Sequence, residues 1–240
     1  MPSVEQLGGG WTLRQDDGFR LTQDTVLLAD FARPPARGRV CDLGCGGGAL
    51  GLLLCRGRPA LRVDGVEIQP AAVRLARENI ARNGLEGRMT AVLGDWRALP
   101  AALPAGGYDL VVCNPPYFPP GTGGVSRAAA HRAARHAGAD TLEEVCRAAA
   151  RLLKFGGTLA LVHRPEQLCR LLAAMAGQGM EPKRLRIVHQ HATAPAGAVL
   201  VEGKKGGRPG LALLPPLLLR DGAGAPTAEY RRIYRMDEEV

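Results

Sequence analysis

Val40-Cys41-Asp42-Leu43-Gly44-Cys45-Gly46-Gly47-Gly48 is the stretch that decides the fold, because it joins a short apolar strand to a helix through a turn of alternating glycines. Glycine adopts positive φ angles readily and lets the backbone pass close to a ligand. In open α/β sheets, ligands bind beyond the carboxyl ends of the strands. We therefore expect Asp42, Gly44, Gly46 and Gly48 to lie at a cofactor site.

Strand-like and helix-like segments alternate along most of the chain. The predicted strands cover 39–43, 61–67, 88–93, 108–113 and 158–162, and the predicted helices cover 49–55, 70–82, 141–153 and 165–177. This alternation implies right-handed crossovers and a mostly parallel sheet. Three later strand-like runs, 186–189, 198–202 and 211–214, have no helices between them. The sequence thus predicts a Rossmann-like α/β fold: a seven-stranded, mostly parallel sheet with helices on both faces and a terminal antiparallel hairpin.

The chain is expected to form one globular unit over residues 39–240, preceded by an N-terminal extension over 1–38. The extension starts with a polar, Gly-rich stretch in which Gly8-Gly9-Gly10 is expected to be flexible. A short helix is predicted over 22–33, with Asp24 as its N-cap, since an N-cap side-chain oxygen accepts a backbone N–H.

Charge and cysteine usage limit the class of protein. The formal net charge of +8 favours a polyanionic partner, because basic side chains neutralise phosphates and release counterions, although an arginine-rich proteome would give the same excess. The six cysteines show neither C-x-x-C nor zinc-ligand spacing, so we expect no metal and a reducing compartment. Without a signal-peptide pattern or an apolar run of about 18 residues, we expect a cytoplasmic protein that makes no membrane contact.

Two cofactors compete for the glycine turn. Gly46-x-Gly48-x-x-Gly51 satisfies the dinucleotide fingerprint, and Glu67 follows at about the 20-residue distance of a ribose-binding acid. The frame Asp42-x-Gly44-x-Gly46-x-Gly48 instead resembles motif I of class I methyltransferases dependent on S-adenosylmethionine (SAM). Glu67 suits both, because a carboxylate accepts hydrogen bonds from two ribose hydroxyls. Gly94-Asp95-Trp96 favours SAM: methyltransferases keep an acid here for the adenine amine, the role expected of Asp95, while Trp96 lines the ring.

Asn114-Pro115-Pro116-Tyr117 directly follows the predicted strand 108–113. Two consecutive prolines stiffen the loop and hold Asn114 in place. An exocyclic amine or amide nitrogen is a poor nucleophile, because its lone pair is delocalised. The side-chain oxygen of Asn114 and the carbonyl of Pro115 can each accept one N–H of such a group, while Tyr117 offers a flat face for stacking. These residue types predict methyl transfer to a planar nitrogen.

This tetrapeptide resembles motif IV of the amino-methyltransferases. From about Leu13 to Tyr234, the chain is similar to the family of tRNA1(Val) adenine-N6 methyltransferases, in the stretch 21–28, motif I, the Asn-Pro-Pro-Tyr motif and the basic Gly-rich stretch 201–210. The resemblance implies a SAM-dependent N-methyltransferase acting on the N6 amine of an adenine in tRNA, near the anticodon loop. The residues expected to contact RNA are Arg127, Arg132, Arg135, Lys204, Lys205 and Arg208.

Other substrates stay open, because motif IV is shared by enzymes that methylate guanine N2 in ribosomal RNA and glutamine N5 in proteins. The glutamine enzymes usually carry a helical N-terminal domain, whereas about 38 residues precede the first predicted strand here. A SAM-binding protein that contacts RNA without turnover is the non-enzyme alternative. A nicotinamide oxidoreductase is disfavoured, since no catalytic Tyr/Lys or His arrangement stands out.

Overall fold

The computed structural model describes residues 2–16, 18–115 and 141–237. Its strands are β1 (Ser3–Gly8), β2 (Trp11–Gln15), β3 (Arg37–Leu43), β4 (Ala60–Glu67), β5 (Met89–Leu93), β6 (Tyr108–Cys113), β7 (Leu153–His163), β8 (Met180–His189), β9 (Ala196–Lys205), β10 (Ala212–Leu213) and β11 (Leu217–Leu218). Its helices are α1 (Gln23–Phe31), α2 (Ala49–Cys55), α3 (Pro70–Arg82), α4 (Thr141–Leu152), α5 (Leu168–Gly177) and α6 (Ala228–Tyr234).

A nine-stranded sheet forms the centre of the fold, in the order β10-β8-β9-β7-β6-β3-β4-β5, with β11 also paired to β8. Strands β3 to β7 are mutually parallel, and β9 runs antiparallel between β7 and β8. The seven longer strands and the β8–β9 hairpin confirm the predicted α/β fold. The two remaining strands, β10 and β11, are two residues long and lie on the outer edge of β8; β10 falls within the strand-like run predicted over 211–214, whereas β11 was not predicted.

Helix α3 shows why local patterns predicted much of this fold. Pro70 occupies its first turn, where its fixed φ is tolerated and its missing N–H costs nothing. Val73, Ala76 and Ile80 follow at helical spacing and are buried. The helix ends at Arg82, before Gly84 adopts a φ of +64°. The predicted bounds of 70–82 are confirmed.

The sheet is covered on both faces, because successive strand residues point to opposite sides. Val40 and Val112 face one hydrophobic cluster, which also contains residues of α1, α2, α3 and α6. Cys41 and Val111 face a second cluster, which contains residues of α4 and α5. Both cores meet along the parallel strands that end at the site described below.

The expectations for the N-terminal extension were partly wrong. Gly8, Gly9 and Gly10 have φ angles of 81°, 62° and 77° and form the tight turn of the β1–β2 hairpin, a backbone conformation that glycine adopts without strain. Thr22, not Asp24, caps α1: its hydroxyl accepts the backbone N–H of Thr25 at 3.3 Å. The helix ends at Phe31, earlier than predicted, because Ala32 is already extended ahead of the two following prolines.

Two other segments also differ from the prediction. The helix predicted over 141–153 ends at Leu152, and β7 begins at Leu153, so Gly156 and Gly157 lie inside a strand, where Gly156 has a φ of 81° and the pairing with β6 shifts register. The C-terminal helix α6 was not anticipated. Its N-cap is Thr227, whose hydroxyl accepts the N–H of Tyr230 at 3.2 Å.

Candidate cofactor and catalytic site

The ends of four adjacent parallel strands form one edge of the sheet. Strands β6, β3, β4 and β5 are neighbours in that order. Their carboxyl ends lead into Asn114, the glycine turn, Glu67 and Asp95, respectively. The structure therefore brings the predicted cofactor residues and the predicted catalytic asparagine to the same edge, although they are up to 72 residues apart in sequence.

The glycine turn has the backbone of a ligand cradle. Gly44 has a φ of 77°, and a Cβ atom there would lie 2.9 Å from the ring of Trp96, so the indole packs directly against the turn. Gly48 has a φ of 86° and forms the N-cap of α2. A side chain at either position would strain the backbone, and it would meet Trp96 at Gly44 or Met89 and Ala76 at Gly48. The turn can therefore approach a bound molecule closely.

Glu67 holds this turn in shape. One carboxylate oxygen accepts the N–H of Gly46 at 3.0 Å, and the other accepts the N–H of Gln69 at 2.9 Å. The side chain is buried, with 6% of its surface exposed. Each carboxylate oxygen can accept more than one hydrogen bond, so these contacts are compatible with the expected ribose contact. Sequence reasoning missed the role of Glu67 as a support for the glycine turn.

Asp42 lies fully buried at the end of β3. Burial and the nearby carboxylate of Glu67 raise the pKa of Asp42 to about 7, while a hydrogen bond from the backbone N–H of Gly51 partly offsets this shift. Its Oδ2 atom has no hydrogen-bond partner within the described part of the chain. A buried acceptor of this kind is unfavourable unless a ligand or another donor satisfies it. The Oδ2 atom of Asp42 could therefore accept a hydrogen bond from the ammonium group at the amino-acid end of SAM.

The carboxylate of Asp95 is held by Arg97, two residues further along the chain. Its two oxygens accept hydrogen bonds from the Arg97 guanidinium at 2.6–3.0 Å, and the backbone N–H of Arg97 donates at 2.9 Å. This ion pair lowers the pKa of Asp95 and keeps its carboxylate ionised. An ionised carboxylate is an acceptor, as the expected hydrogen bond from an adenine amine requires.

Asn114 is oriented by helix α1. Its Nδ2 atom donates to the hydroxyl of Thr25 at 3.0 Å and, at the longer distance of 3.4 Å, to that of Thr22. The amide nitrogen therefore faces α1, and the amide oxygen is directed away from both hydroxyls. Sequence reasoning did not anticipate either threonine. Pro115 is buried beside Asn114, whereas Pro116 and Tyr117 lie outside the described residues.

Asn79 links the N-terminal hairpin to the glycine turn. This fully buried side chain accepts the N–H of Arg14 at 2.7 Å and donates to the carbonyls of Arg14 and Gly47, both at 2.9 Å. Phe19, which follows the hairpin, lies 3.8 Å from the position of a Cβ on Gly46. The N-terminal extension thus packs against the turn. An asparagine on the buried side of the helix predicted over 70–82 was the sequence signal that could have suggested this contact.

Of the basic residues expected to bind RNA, the three that the structure describes, Lys204, Lys205 and Arg208, do not lie at this edge. Lys204 pairs with Thr158, which pairs with Leu110, four residues before Asn114. At about 3.3 Å per residue, Lys204 lies about 13 Å down the sheet from Asn114, toward the opposite edge. Arg208 follows on that far side, and its carbonyl accepts a hydrogen bond from Lys183 at 3.0 Å. Arg127, Arg132 and Arg135 lie outside the described residues.

Lys205 makes structural contacts within the protein. Its ammonium donates to the carbonyls of Ala150 and Leu153, at 2.6 and 2.8 Å, at the end of α4. A cation here stabilises the negative end of the helix dipole. These contacts favour a structural role for Lys205, and its contact with RNA stays a prediction.

Comparison with known protein families assigns the chain. A family model described as methyltransferase small domain matches residues 20–179, about two thirds of the chain. The chain belongs to this family. Relatives named tRNA1(Val) (adenine(37)-N6)-methyltransferase include one from Tolumonas auensis, 34% identical over 191 residues that cover 78% of this chain and 77% of the relative. One from Yersinia pestis is 32% identical over 178 residues, which cover 71% and 70% of the two chains.

Solved structures have the same fold as this methyltransferase. A predicted O-methyltransferase from Agrobacterium tumefaciens superposes with a TM-score of 0.72 at 23% identity, covering 91% of this chain and 98% of its own. P. horikoshii TYW2, crystallised in complex with MeSAdo, gives a TM-score of 0.58 at 17% identity, with coverage of 86% and 72%. At these identities the likeness concerns the fold, which is that of a class I methyltransferase.

SAM is the methyl donor of this methyltransferase, and the residues at the strand ends fit it. The buried Oδ2 of Asp42 lacks a hydrogen-bond partner in the described part of the chain, Glu67 places a second carboxylate beside the glycine turn, and Trp96 packs against the turn. Among the described residues, no group of three or more His, Cys, Asp or Glu side chains is placed to hold a metal ion. In the same part of the chain, no helix has the length and apolar character needed to cross a membrane.

Proposed function

We propose that this methyltransferase places a methyl group on the exocyclic N6 amine of an adenine in tRNA, in the anticodon-loop region. The orientation of Asn114 is the observation that carries the proposal. Because Nδ2 donates to the hydroxyls of Thr25 and Thr22, the amide oxygen, and not the amide nitrogen, is the atom that would accept an N–H from a substrate amine. The printed names of the relatives, which specify an adenine N6 atom in a tRNA, support this choice of substrate.

Asn114 and Pro115 act on the nucleophile. The oxygen of Asn114 and the carbonyl of Pro115 each accept one hydrogen of the amine, so that its lone pair is drawn out of conjugation with the ring. SAM, when bound, supplies an electrophilic methyl group on a sulfonium. After the new N–C bond forms, the nitrogen loses one proton to water, so no strong general base is required. Holding the reacting atoms in line supplies most of the rate enhancement.

Recognition of the base and of the RNA extends beyond these two residues. Tyr117 stacks on the adenine, and Pro116 stiffens the loop that carries it. Arg127, Arg132 and Arg135 contact RNA phosphates close to the target base. Lys204 and Arg208 contact phosphates farther away, as their place toward the far edge of the sheet requires. The adenine must be unstacked to reach the site, which an exposed loop base allows in the cytoplasm, where tRNA is found.

The test is methyl transfer from labelled SAM to total tRNA, total ribosomal RNA and total protein from cells that lack the gene, followed by nucleoside and amino-acid mass spectrometry. We expect label in 6-methyladenosine from tRNA. The variant Asn114→Ala should lose at least about a hundredfold in rate while its SAM affinity stays within about twofold. Label in 2-methylguanosine or in methylglutamine would overturn the proposal and favour the corresponding alternative.

A further inference from the structure

A recess lies beside the last turn of α1, where this helix meets the end of α2 and the C-terminal helix α6. Its volume is about 250 Å³. Val26, Ala29, Leu53 and Ile233 supply apolar lining, and the remaining lining residues are charged. We refer to it as the α1 recess. No residue of the α1 recess takes part in the cofactor site or in the Asn114 site.

The charge of the α1 recess is strongly positive. Arg56, Arg58, Arg232 and Arg235 line it together with one carboxylate, that of Asp30, so the lining carries a net charge of +3. Asp30 binds the guanidinium of Arg232 at 2.9 and 3.1 Å. Four guanidinium groups around one recess match the geometry of a phosphate, whose oxygens accept paired N–H bonds.

Part of this arrangement is held in place before any ligand binds. Arg56, Arg58 and Arg235 are half-buried. The guanidinium of Arg58 donates to the carbonyl of Leu54 at 3.1 Å, which ties it to α2. Fixed cations lose less conformational entropy on binding an anion than mobile surface cations do. The recess is thus partly preorganised for an anionic group.

Helix α1 connects the recess to the catalytic residue. Thr22 and Thr25, at its N-terminal end, contact Asn114, whereas Ala29 and Asp30, at its other end, line the recess. A nine-residue helix is about 13 Å long, so the two positions are separated by a distance that a few nucleotides of RNA can span.

We propose that the α1 recess binds a backbone phosphate of the RNA substrate, a few nucleotides from the methylated base. The inference rests on the proposed function, because it takes the polyanion to be the RNA whose base reaches Asn114. The apolar lining accommodates the sugar next to the phosphate.

A second basic recess supplies a matched control. It has a volume of about 310 Å³ and is lined by Arg37, Arg62 and Arg88 at the amino-terminal ends of β3 and β4. Pro59 and Ala60, which also line it, directly follow Arg58 of the α1 recess, so the two recesses are neighbours of similar charge. If binding depended on total charge alone, both recesses would contribute equally. The proposal requires that the α1 recess contribute more to tRNA affinity than the control recess.

The experiment compares two double variants of the full chain: Arg56→Gln with Arg58→Gln in the α1 recess, and Arg37→Gln with Arg62→Gln in the control recess. Binding of unmodified tRNA is measured by fluorescence anisotropy over a range of salt concentrations, together with KM, kcat and SAM affinity. The first pair should raise Kd and KM for tRNA about tenfold and make the salt slope shallower by about 0.7 per lost phosphate contact. Its SAM affinity and kcat should stay unchanged. The control pair should change Kd less than about twofold.

The outcomes separate this inference from the proposed function. Equal effects of the two pairs, or no effect of the first, overturn the α1 recess as a phosphate site even if the wild type methylates tRNA. If the wild type shows no tRNA methylation at all, the proposed function fails and this inference fails with it. Should the first pair fold poorly, Arg56→Lys with Arg58→Lys retains the charge and must restore most of the affinity.

Discussion

The side-chain amide of Asn114 donates to the hydroxyl of Thr25 at 3.0 Å, across 89 residues of sequence. This bond joins the end of the central strand β6 to the first turn of α1. Thr25 is buried, and its backbone N–H is itself held by Thr22. The N-terminal extension therefore helps to set the direction in which the amide of Asn114 points. The division of the chain into an extension and a globular unit at residue 38 stays a prediction. Residues of the extension and of the sheet belong to one hydrophobic cluster.

Replacing Thr25 by valine keeps the shape of the side chain and removes the acceptor for Asn114. The amide then has one fewer restraint on its orientation. Since a lost hydrogen bond costs about 1 kcal/mol, kcat should fall about five- to tenfold. KM for SAM should change little, because Thr25 acts through Asn114. Steady-state kinetics with unmodified tRNA measure both quantities.

Serine at position 25 is the control for this experiment, because it restores the hydroxyl and omits only the methyl group. The Thr25→Ser variant should recover most of the wild-type kcat. If valine and serine lower kcat equally, or if valine changes only the thermal stability, Thr25 has no positioning role.

Asn79 offers a test of the link between the hairpin and the cofactor turn. The Asn79→Ala variant leaves the carbonyl of Gly47 and the backbone of Arg14 without their buried partner, which should lower the free energy of unfolding by about 2 kcal/mol. SAM affinity should fall as well, because the turn loses one of its anchors. Denaturant unfolding and calorimetric SAM titration measure the two effects separately.

Asn83 is the matched control, because it binds the N–H and the carbonyl of Thr12 on the same hairpin but does not reach the glycine turn. The Asn83→Ala variant should be destabilised while keeping its SAM affinity. A similar loss of SAM affinity in both variants would mean that general loosening of the hairpin, rather than the Gly47 contact, determines cofactor binding.

Glu67 is expected to serve both the turn and the ribose of SAM. The Glu67→Gln variant keeps one carbonyl oxygen and loses the charge and one of the two acceptors that now bind Gly46 and Gln69. SAM affinity should fall at least about tenfold, since a charge-assisted hydrogen bond contributes about 1.5–3 kcal/mol. Calorimetry provides the measurement. Unchanged affinity in this variant would remove Glu67 from the cofactor site.

Local patterns predicted the elements of the site but not all of their surroundings. The order of strands and helices placed Asp42, Glu67, Asp95 and Asn114 after successive strands, and parallel pairing then brings strand ends to one edge. Thr25 could not be found in this way. Its contact with Asn114 depends on how α1 packs against the sheet, and no local periodicity carries that information.

Strand direction explains why the sequence alone could not place the basic stretch 201–210 relative to Asn114. A run of β-forming residues indicates a strand but gives no direction relative to its neighbours. Because β9 is antiparallel to β7, its C-terminal residue Lys205 lies toward the edge far from Asn114. Lys205 then reaches the carbonyls at the end of α4, a contact that requires the three-dimensional position of both elements.

Asp42 gives a prediction on pH dependence that needs no ligand. The pKa of this buried carboxyl is raised to about 7, whereas an aspartate in the unfolded chain has a pKa of about 3.9. Between about pH 4 and pH 7, the folded protein retains a proton that the unfolded chain releases, so the free energy of unfolding falls as the pH rises through this window. Below about pH 4 the contribution of Asp42 is fully present.

The Asp42→Asn variant should lack this fall, because asparagine does not titrate. The comparison with the wild type is essential, because another group also titrates in this range. Burial lowers the pKa of His163, which makes the free energy of unfolding rise with pH up to about pH 6.5. Asp109→Asn is the control. Burial alone would raise the pKa of Asp109, but hydrogen bonds from Lys154 and from the backbone N–H of Arg39 outweigh burial and lower the pKa, so the stabilising contribution of Asp109 is lost only below about pH 4. Urea unfolding without SAM measures the free energy of unfolding from about pH 4.5 to about pH 7.5. Plotted against pH, this free energy should give parallel curves for the wild type and Asp109→Asn and a curve without the fall due to Asp42 for Asp42→Asn. A curve for Asp42→Asn as steep as that of the wild type would show that Asp42 is ionised throughout this range, so that the buried carboxylate must already be stabilised by the folded chain before SAM binds.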